Sequence, residues 1–286
     1  MTFRELIIYG QDMLKNAGIL DFENDTKVLL MYCFNLNYTE LMVKLLEEVP
    51  EEKLQYFQEC IDKRIKHIPC QHITGVQEFM GYEFKVTPDV LIPRQETEIL
   101  VEESLTAMNQ SVSCKALDMC TGSGCIGISF FLERKSKGFD ADVTLADISK
   151  EALEVANYNN KNLNADCKII ITDLFENITE KYDIIMSNPP YIKTSDIEEL
   201  MDEVKLYDPR LALDGYEDGL HFYKKIIKEA RNYLNYEGKL FFEIGHDQHK
   251  DVERLLIDAG YSDIILKKDY AGLDRVVIAT YKKDGL

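Results

Sequence analysis

Asn188, Pro189, Pro190 and Tyr191 follow the apolar run Tyr-Asp-Ile-Ile-Met-Ser and form the most chemically loaded stretch of the chain. Two consecutive prolines fix φ and remove two backbone donors, so the loop is stiff and rich in acceptors. The carboxamide oxygen of Asn188 and the carbonyl of Pro189 can then both accept from a single planar NH₂ group. Such a nitrogen is a weak nucleophile because its lone pair is delocalised, and two acceptors bias that lone pair toward an incoming methyl carbon. Orientation and stabilisation of the nitrogen as it becomes positive would carry the catalysis, without a metal or a nucleophilic triad. Glutamine, adenine and cytosine amino groups all satisfy this geometry. The plainer reading is a rigid post-strand loop with Tyr191 packed in the core.

A second constellation runs from Ala116 to Gly127, Ala-Leu-Asp-Met-Cys-Thr-Gly-Ser-Gly-Cys-Ile-Gly. Gly122, Gly124 and Gly127 match the spacing of a dinucleotide-binding loop by letter. Asp118 at the end of the strand is better suited to accept from a ligand ammonium than to face a diphosphate, which favours S-adenosyl-L-methionine. Thr121, Gly122, Ser123 and Gly124 would let the backbone approach that ligand. Asp147 ends the next strand, where a carboxylate can hold both ribose hydroxyls; the alternative is a solvated cap for the helix that follows. Asp173 ends the third strand, placed to read the adenine edge, with Leu174 beside it.

The elements that must position these residues have two different periods. From Thr2 to about Pro69 the apolar residues recur at helical spacing, with a capping box at Thr2 and Glu5, a C′ glycine at Gly18, and Pro50 and Pro69 bounding later segments. Residues 1–75 therefore read as a small helical domain. Residues 76–92 turn aromatic and β-branched around Gly81, as a hairpin linker. Over 93–286 strands alternate with helices, which predicts an α/β domain with a largely parallel, Rossmann-like sheet. A helix is expected over about 220–234, and the strands 262–269 and 274–281 are expected to close the sheet as an antiparallel pair.

The chain has 286 residues, with 33 Lys+Arg against 51 Asp+Glu, a formal charge of −18. That field disfavours nucleic acid and anionic membranes. Seven cysteines, odd in number and with no CxxC pair, suggest neither a disulfide framework nor a zinc site. Without a signal-like or spanning segment, the expectation is a monomer in a reducing cytoplasm.

With these motifs in hand, the sequence resembles the peptide chain release factor N5-glutamine methyltransferases over nearly its whole length. Further landmarks are Pro69-Cys-Gln-His-Ile-Thr-Gly75, Leu91-Ile-Pro-Arg-Gln-Glu-Thr-Glu98, Asp208-Pro-Arg-Leu-Ala-Leu-Asp-Gly215, Glu243-Ile-Gly-His246 and Asp269-Tyr-Ala-Gly-Leu-Asp-Arg275. The resemblance implies a helical substrate-recognition domain, a hairpin and a class I methyltransferase domain. It implies S-adenosyl-L-methionine as cofactor, S-adenosyl-L-homocysteine as product, and the glutamine of a Gly-Gly-Gln loop as substrate. By position, residues 122–124, Asp147 and Asp173 would surround the cofactor, Asn188 and Pro189 would hold the glutamine amide, and Tyr191 would shape its slot next to Pro190. Arg94 would order a lid, or else pair at the surface with Glu96 or Glu98.

Cys120 stands where glycine is usual, Gln95 where proline is frequent, and Leu174 where an aromatic is common. Cys120 is expected to fit if its φ is negative, and Leu174 to alter adenine stacking. Glu243 and His246 end a strand on the functional side, although a lone histidine is more often packed or exposed than catalytic. Two other readings stay open: an adenine N6-methyltransferase acting on nucleic acid, against which the missing basic footprint counts, and a non-catalytic binding module.

Overall fold

The computed structural model describes residues 1–282. It divides into two compact units, one made of residues 1–76 with 201–207, the other of 77–200 with Asp208 onward.

The first unit is helical: α1 (Phe3–Asn16), α2 (Phe22–Phe34), α3 (Tyr38–Val43), α4 (Glu51–Ile65) and α5 (Cys70–Thr74). The capping box forms as expected, the Thr2 hydroxyl accepting from Glu5 N while Glu5 accepts from Thr2 N. Gly18 follows the α1 cap at φ 79°. Leu6, Leu14, Leu29, Phe57 and Ile61 form its core.

A short helix of this unit comes from much later in the chain, labelled α9 (Asp202–Tyr207) in chain order. Arg64, 3% exposed, donates to Asp25 Oδ2 at 2.7 Å and to Glu203 Oε1 at 2.6 Å, and the Tyr207 hydroxyl donates to Lys66 O. The helical unit is therefore not residues 1–75 alone. Polar ties attach α9, while Met201 and Leu206 stay exposed, so no apolar periodicity announced it.

The hairpin β1 (Val76–Phe79) and β2 (Tyr82–Lys85) belongs, from Gln77 on, to the second unit. Met80 and Gly81 both have positive φ, 54° and 77°, which is the two-residue turn whose twist matches paired strands. Then come α6 (Glu98–Ala107), β3 (Ser113–Met119), α7 (Cys125–Ser136), β4 (Asp140–Asp147), α8 (Lys150–Asn162), β5 (Lys168–Ile171) and β6 (Tyr182–Ser187). After α9 follow α10 (Arg210–Leu213), α11 (His221–Ala230), β7 (Leu234–Glu243), α12 (His249–Asp258), β8 (Tyr261–Lys268) and β9 (Asp274–Tyr281).

The seven strands lie in the order β5-β4-β3-β6-β7-β9-β8, with β9 antiparallel to both its neighbours. Ala116 and Ile184 face one apolar layer, Leu117 and Ile185 the other, so the central strands are buried on both faces as parallel strands must be. The helix expected to reach Leu234 stops at Ala230; Leu234 instead begins β7 and pairs with Tyr182. The chain runs outward from β3 to β5 and then returns to β6 on the other side. Ligands of open α/β sheets bind at such a reversal, outside the carboxyl ends of the strands.

Candidate active site

A cavity of about 390 Å³ sits at that reversal, and its wall carries Gly122, Asp147, Leu174, Asn188, Arg94 and Thr97. Met119 lies opposite Ser187 in the β3–β6 register, and the Ser187 hydroxyl donates to Met119 O at 2.7 Å. The glycine loop and the Asn-Pro-Pro-Tyr loop therefore leave the sheet side by side.

The loop turns left-handed three times, at Cys120 (φ 62°), Gly122 (54°) and Gly124 (84°). The negative φ expected of Cys120 is thus corrected. The Thr121 amide donates to Ala146 O at 3.0 Å, and this bond holds the turn against the C-terminal end of β4. A side chain in this conformation costs about 1–2 kcal/mol, which is why glycine suits the position. Gly127 answers to packing instead: a Cβ there would stand 2.4 Å from Leu145 Cδ2.

Asp118, expected to meet a ligand ammonium, is fully buried beneath the loop and is not on the cavity wall. One oxygen accepts from the Thr121 hydroxyl and from Gly127 N, while its Oδ1 has no partner. The direct contact gives way to a loop-holding role. Burial pushes its carboxyl up to about 7, against the pull of those two donors.

Asp147 is on the wall and works on both its oxygens, Oδ2 accepting from Gly122 N and Oδ1 from Ser149 N, each at 2.9 Å. Each carboxylate oxygen has room for a second donor. Burial raises its pKa, and these backbone donors oppose that. Thr121, Ser123, Asp173 and Leu174 also line the cavity, and the buried Ser123 hydroxyl has no partner. Leu174, at φ 46° and 7% exposed, packs with Phe175 and Ile178. An orphaned hydroxyl, a loop bare of side chains at Gly122 and a carboxylate with spare lone pairs fit an adenosyl ligand bearing a polar tail.

Asn188 presents a buried Oδ1 without a partner, while its Nδ2 lies 3.4 Å from Thr97 Oγ1. Pro190 shares the wall; Pro189 and Tyr191 do not. Tyr191 packs against the second core layer, its carbonyl accepting from Gln248 Nε2 at 3.0 Å. Burial raises its phenol. The loop Asp214–Gly219 folds over this segment so closely that a Cβ on Gly219 would come within 2.5 Å of Tyr191 O.

Arg94 pairs with neither Glu96 nor Glu98. Its Nη2 donates to Asp208 Oδ2 at 2.7 Å, and Glu98 accepts from Met80 N instead. Burial raises the Asp208 carboxyl and Arg94 restrains the rise. His246 is exposed and off the wall. Asn159 escaped the sequence reading: its buried carboxamide donates to both Lys85 O and Ser123 O, tying the hairpin to the glycine loop. Its only signal was an asparagine on the apolar face of α8. Glu243 carried a similar signal, a charge inside the apolar run Leu-Phe-Phe-Glu-Ile.

Residues 5–75 match a family model described as the PrmC N-terminal domain, and 95–205 match the methyltransferase small domain. The chain is 38% identical to the release factor glutamine methyltransferase of Clostridium acetobutylicum, over 98% of both chains. It belongs to the release factor glutamine methyltransferase family. The enzyme of the same name from Streptococcus pneumoniae is 40% identical, over 87% of this chain and 88% of its own. Among solved structures, the hMettl16 catalytic domain in complex with MAT2A 3'UTR hairpin 6 matches with a TM-score of 0.60 at 14% identity, covering 76% of this chain and 82% of that one. A putative class I S-adenosylmethionine-dependent methyltransferase from Listeria monocytogenes matches with a TM-score of 0.51 at 14% identity, covering 99% and 88%. At such identities the likeness is one of fold: a class I methyltransferase domain with a small helical domain before it. No helix among the described residues is long and apolar enough to cross a membrane.

Proposed function

We propose that this chain methylates the side-chain amide nitrogen of the glutamine in the Gly-Gly-Gln motif of peptide chain release factors. The observation that carries the reading is the Asn188 Oδ1, buried and unpartnered on a residue that lines the same cavity as the glycine loop and Asp147. An acceptor buried without a donor costs about 1–3 kcal/mol, and a substrate NH₂ group repays it.

S-adenosyl-L-methionine, when bound, supplies the methyl group. Asp147 would take the ribose hydroxyls, Asp173 and Leu174 the adenine, and residues 121–124 the amino acid tail. Asn188 Oδ1 and the Pro189 carbonyl would accept the two N–H bonds of the glutamine amide and hold its nitrogen in line with the methyl carbon. The same two acceptors would stabilise that nitrogen as it gains positive charge on taking the methyl group, the cofactor's sulfur keeping the electron pair of the bond it gives up. The proton then leaves to solvent. Pro190 and Arg94 belong to the substrate side, where the Arg94–Asp208 pair fixes the segment leading into Pro209.

The helical unit would dock the release factor, since a bare glutamine side chain needs no second domain. The setting is the cytoplasm, where release factors act, and the working form a monomer. The test is transfer of a labelled methyl group to a purified release factor. Label should appear on the Gly-Gly-Gln glutamine, and Asn188→Ala should lower kcat by roughly a hundredfold or more, with cofactor affinity within a few-fold. Cofactor binding without any transfer to the factor would sink the reading; transfer to adenine in nucleic acid would replace it.

A further inference from the structure

A carboxamide can serve as an acceptor for a substrate NH₂ in only one of its two orientations, and Asn188 needs something to select that one. Its Nδ2 faces Thr97 Oγ1 at 3.4 Å, and Thr97 is 2% exposed at the start of α6. A hydroxyl has one proton, so a Thr97 that accepts from Asn188 must donate its own proton elsewhere. The carboxylate of Glu243, the last residue of β7 and also 2% exposed, is acted on by both the Thr97 hydroxyl and the Asn188 amide. β6 and β7 are parallel neighbours with Ser187 opposite Phe242, so Asn188 and Glu243 continue the two strands next to each other. The Glu243 Oε2 is buried with no partner of its own.

We infer that Glu243 is a positioning residue for methyl transfer: as a carboxylate it takes the Thr97 proton, which leaves Thr97 an acceptor for Asn188 Nδ2 and turns Asn188 Oδ1 into the cavity. The inference rests on the reading of Asn188 as the acceptor of the substrate amide. Glu243 is not on the cavity wall, so it acts through its two neighbours. Its negative charge behind the carboxamide also polarises Oδ1, which favours the nitrogen that turns positive.

The arrangement has a pH dependence. Burial pushes the Glu243 carboxyl up to about 7; the Thr97 hydroxyl, the Arg275 guanidinium and the Asn188 amide pull it down, and Glu96 raises it. Arg275 is itself held by Asp269 at 3.1 Å. The charge of Glu243 also acts on Tyr191, Tyr223 and Cys125, and burial keeps all three in their neutral forms. A protonated Glu243 can donate to Thr97 rather than accept from it, and the Asn188 orientation is then no longer enforced.

The experiment measures kcat for release factor methylation from roughly pH 6 to 9, with cofactor affinity by calorimetry. Glu243→Gln and Thr97→Val should each lower kcat about tenfold or more at the alkaline end, with cofactor Kd and KM for the factor within about threefold. Glu243→Gln should also erase the acid limb of the kcat profile. Thr97→Ser should keep activity within about threefold of the wild type, and the double variant should be no slower than the slower single one. Wild-type kcat with an unchanged acid limb in Glu243→Gln overturns the inference, as do two losses that multiply. If Glu243→Gln does not fold, the threonine pair decides: equal rates for Thr97→Val and Thr97→Ser overturn it. A wild-type enzyme that transfers nothing to a release factor defeats the underlying reading instead, and is told apart by that control.

Discussion

The Gly122 amide and the Asp147 carboxylate meet at 2.9 Å, which joins the loop after β3 to the end of β4. Because the other oxygen of Asp147 takes the amide of Ser149, one side chain fixes both the glycine loop and the first turn of α8. The carboxylate needed for a ribose is therefore oriented by the fold before any ligand arrives, and the ligand need not supply the ordering entropy.

Asp147→Asn tests this double duty. An amide has one acceptor oxygen, so either Gly122 N or Ser149 N must face an NH₂ group. Stability should fall by about 1–3 kcal/mol and cofactor affinity by roughly ten- to a hundredfold. Thermal unfolding and titration calorimetry measure the two, and unchanged affinity would remove Asp147 from the cofactor site.

The Arg94–Asp208 pair invites a double-mutant cycle. Asp208 has 1% of its side chain exposed and Arg94 40%, so solvent screens one end of the pair only. Arg94→Met leaves a buried carboxylate without its cation and should cost about 1–3 kcal/mol, below the loss for a wholly buried pair. Adding Asp208→Asn should recover part of that cost, with a coupling of about 1 kcal/mol. Independent, additive losses would show that the pair does not hold the segment entering Pro209.

Much of this site could be read from sequence because its signals were local. Gly122 and Gly124 needed positive φ, Thr2 and Glu5 sit at capping-box spacing, and the prolines after Asn188 stiffen a loop whatever surrounds them. What could not be read depends on partners distant in the chain. The positive φ at Cys120 goes with the bond of the next amide, Thr121, to Ala146 O of β4, the helix α9 is attached by the buried Arg64, and Asn159 means nothing until Lys85 and Ser123 are beside it. The end of α11 at Ala230 was hidden because Leu234 fits a helical face as well as a strand; only its pairing with Tyr182 decides.

Cys120 offers a test of backbone strain. Replacing it with glycine relieves about 1–2 kcal/mol of left-handed strain but adds about 0.5–1 kcal/mol of chain entropy and removes a packed sulfur. Cys120→Gly should therefore stay within about 1 kcal/mol of the wild type, whereas Cys120→Val, β-branched at positive φ, should be about 2 kcal/mol or more less stable than the glycine variant. Denaturant melts of the two variants measure the difference, and equal stability would mean the loop relaxes to a negative φ at this residue.

The buried carboxyls predict the direction of a pH effect on stability. Burial raises both Asp118 and Glu243 to about 7 from ordinary carboxylate values, so each binds its proton more tightly in the folded chain than in the unfolded one. The stability this gives is complete below the unfolded pKa near 4 and is lost as pH rises through about 7. Glu243→Gln removes one such group without changing its volume. The variant should gain stability relative to the wild type between about pH 5 and 8, up to a ceiling on the order of 3 kcal/mol. Melting temperatures of the two proteins across that range, at constant ionic strength, give the difference curve. A curve that falls with pH would mean Glu243 is better stabilised as a carboxylate than its burial allows, with Arg275 rather than solvation setting its charge.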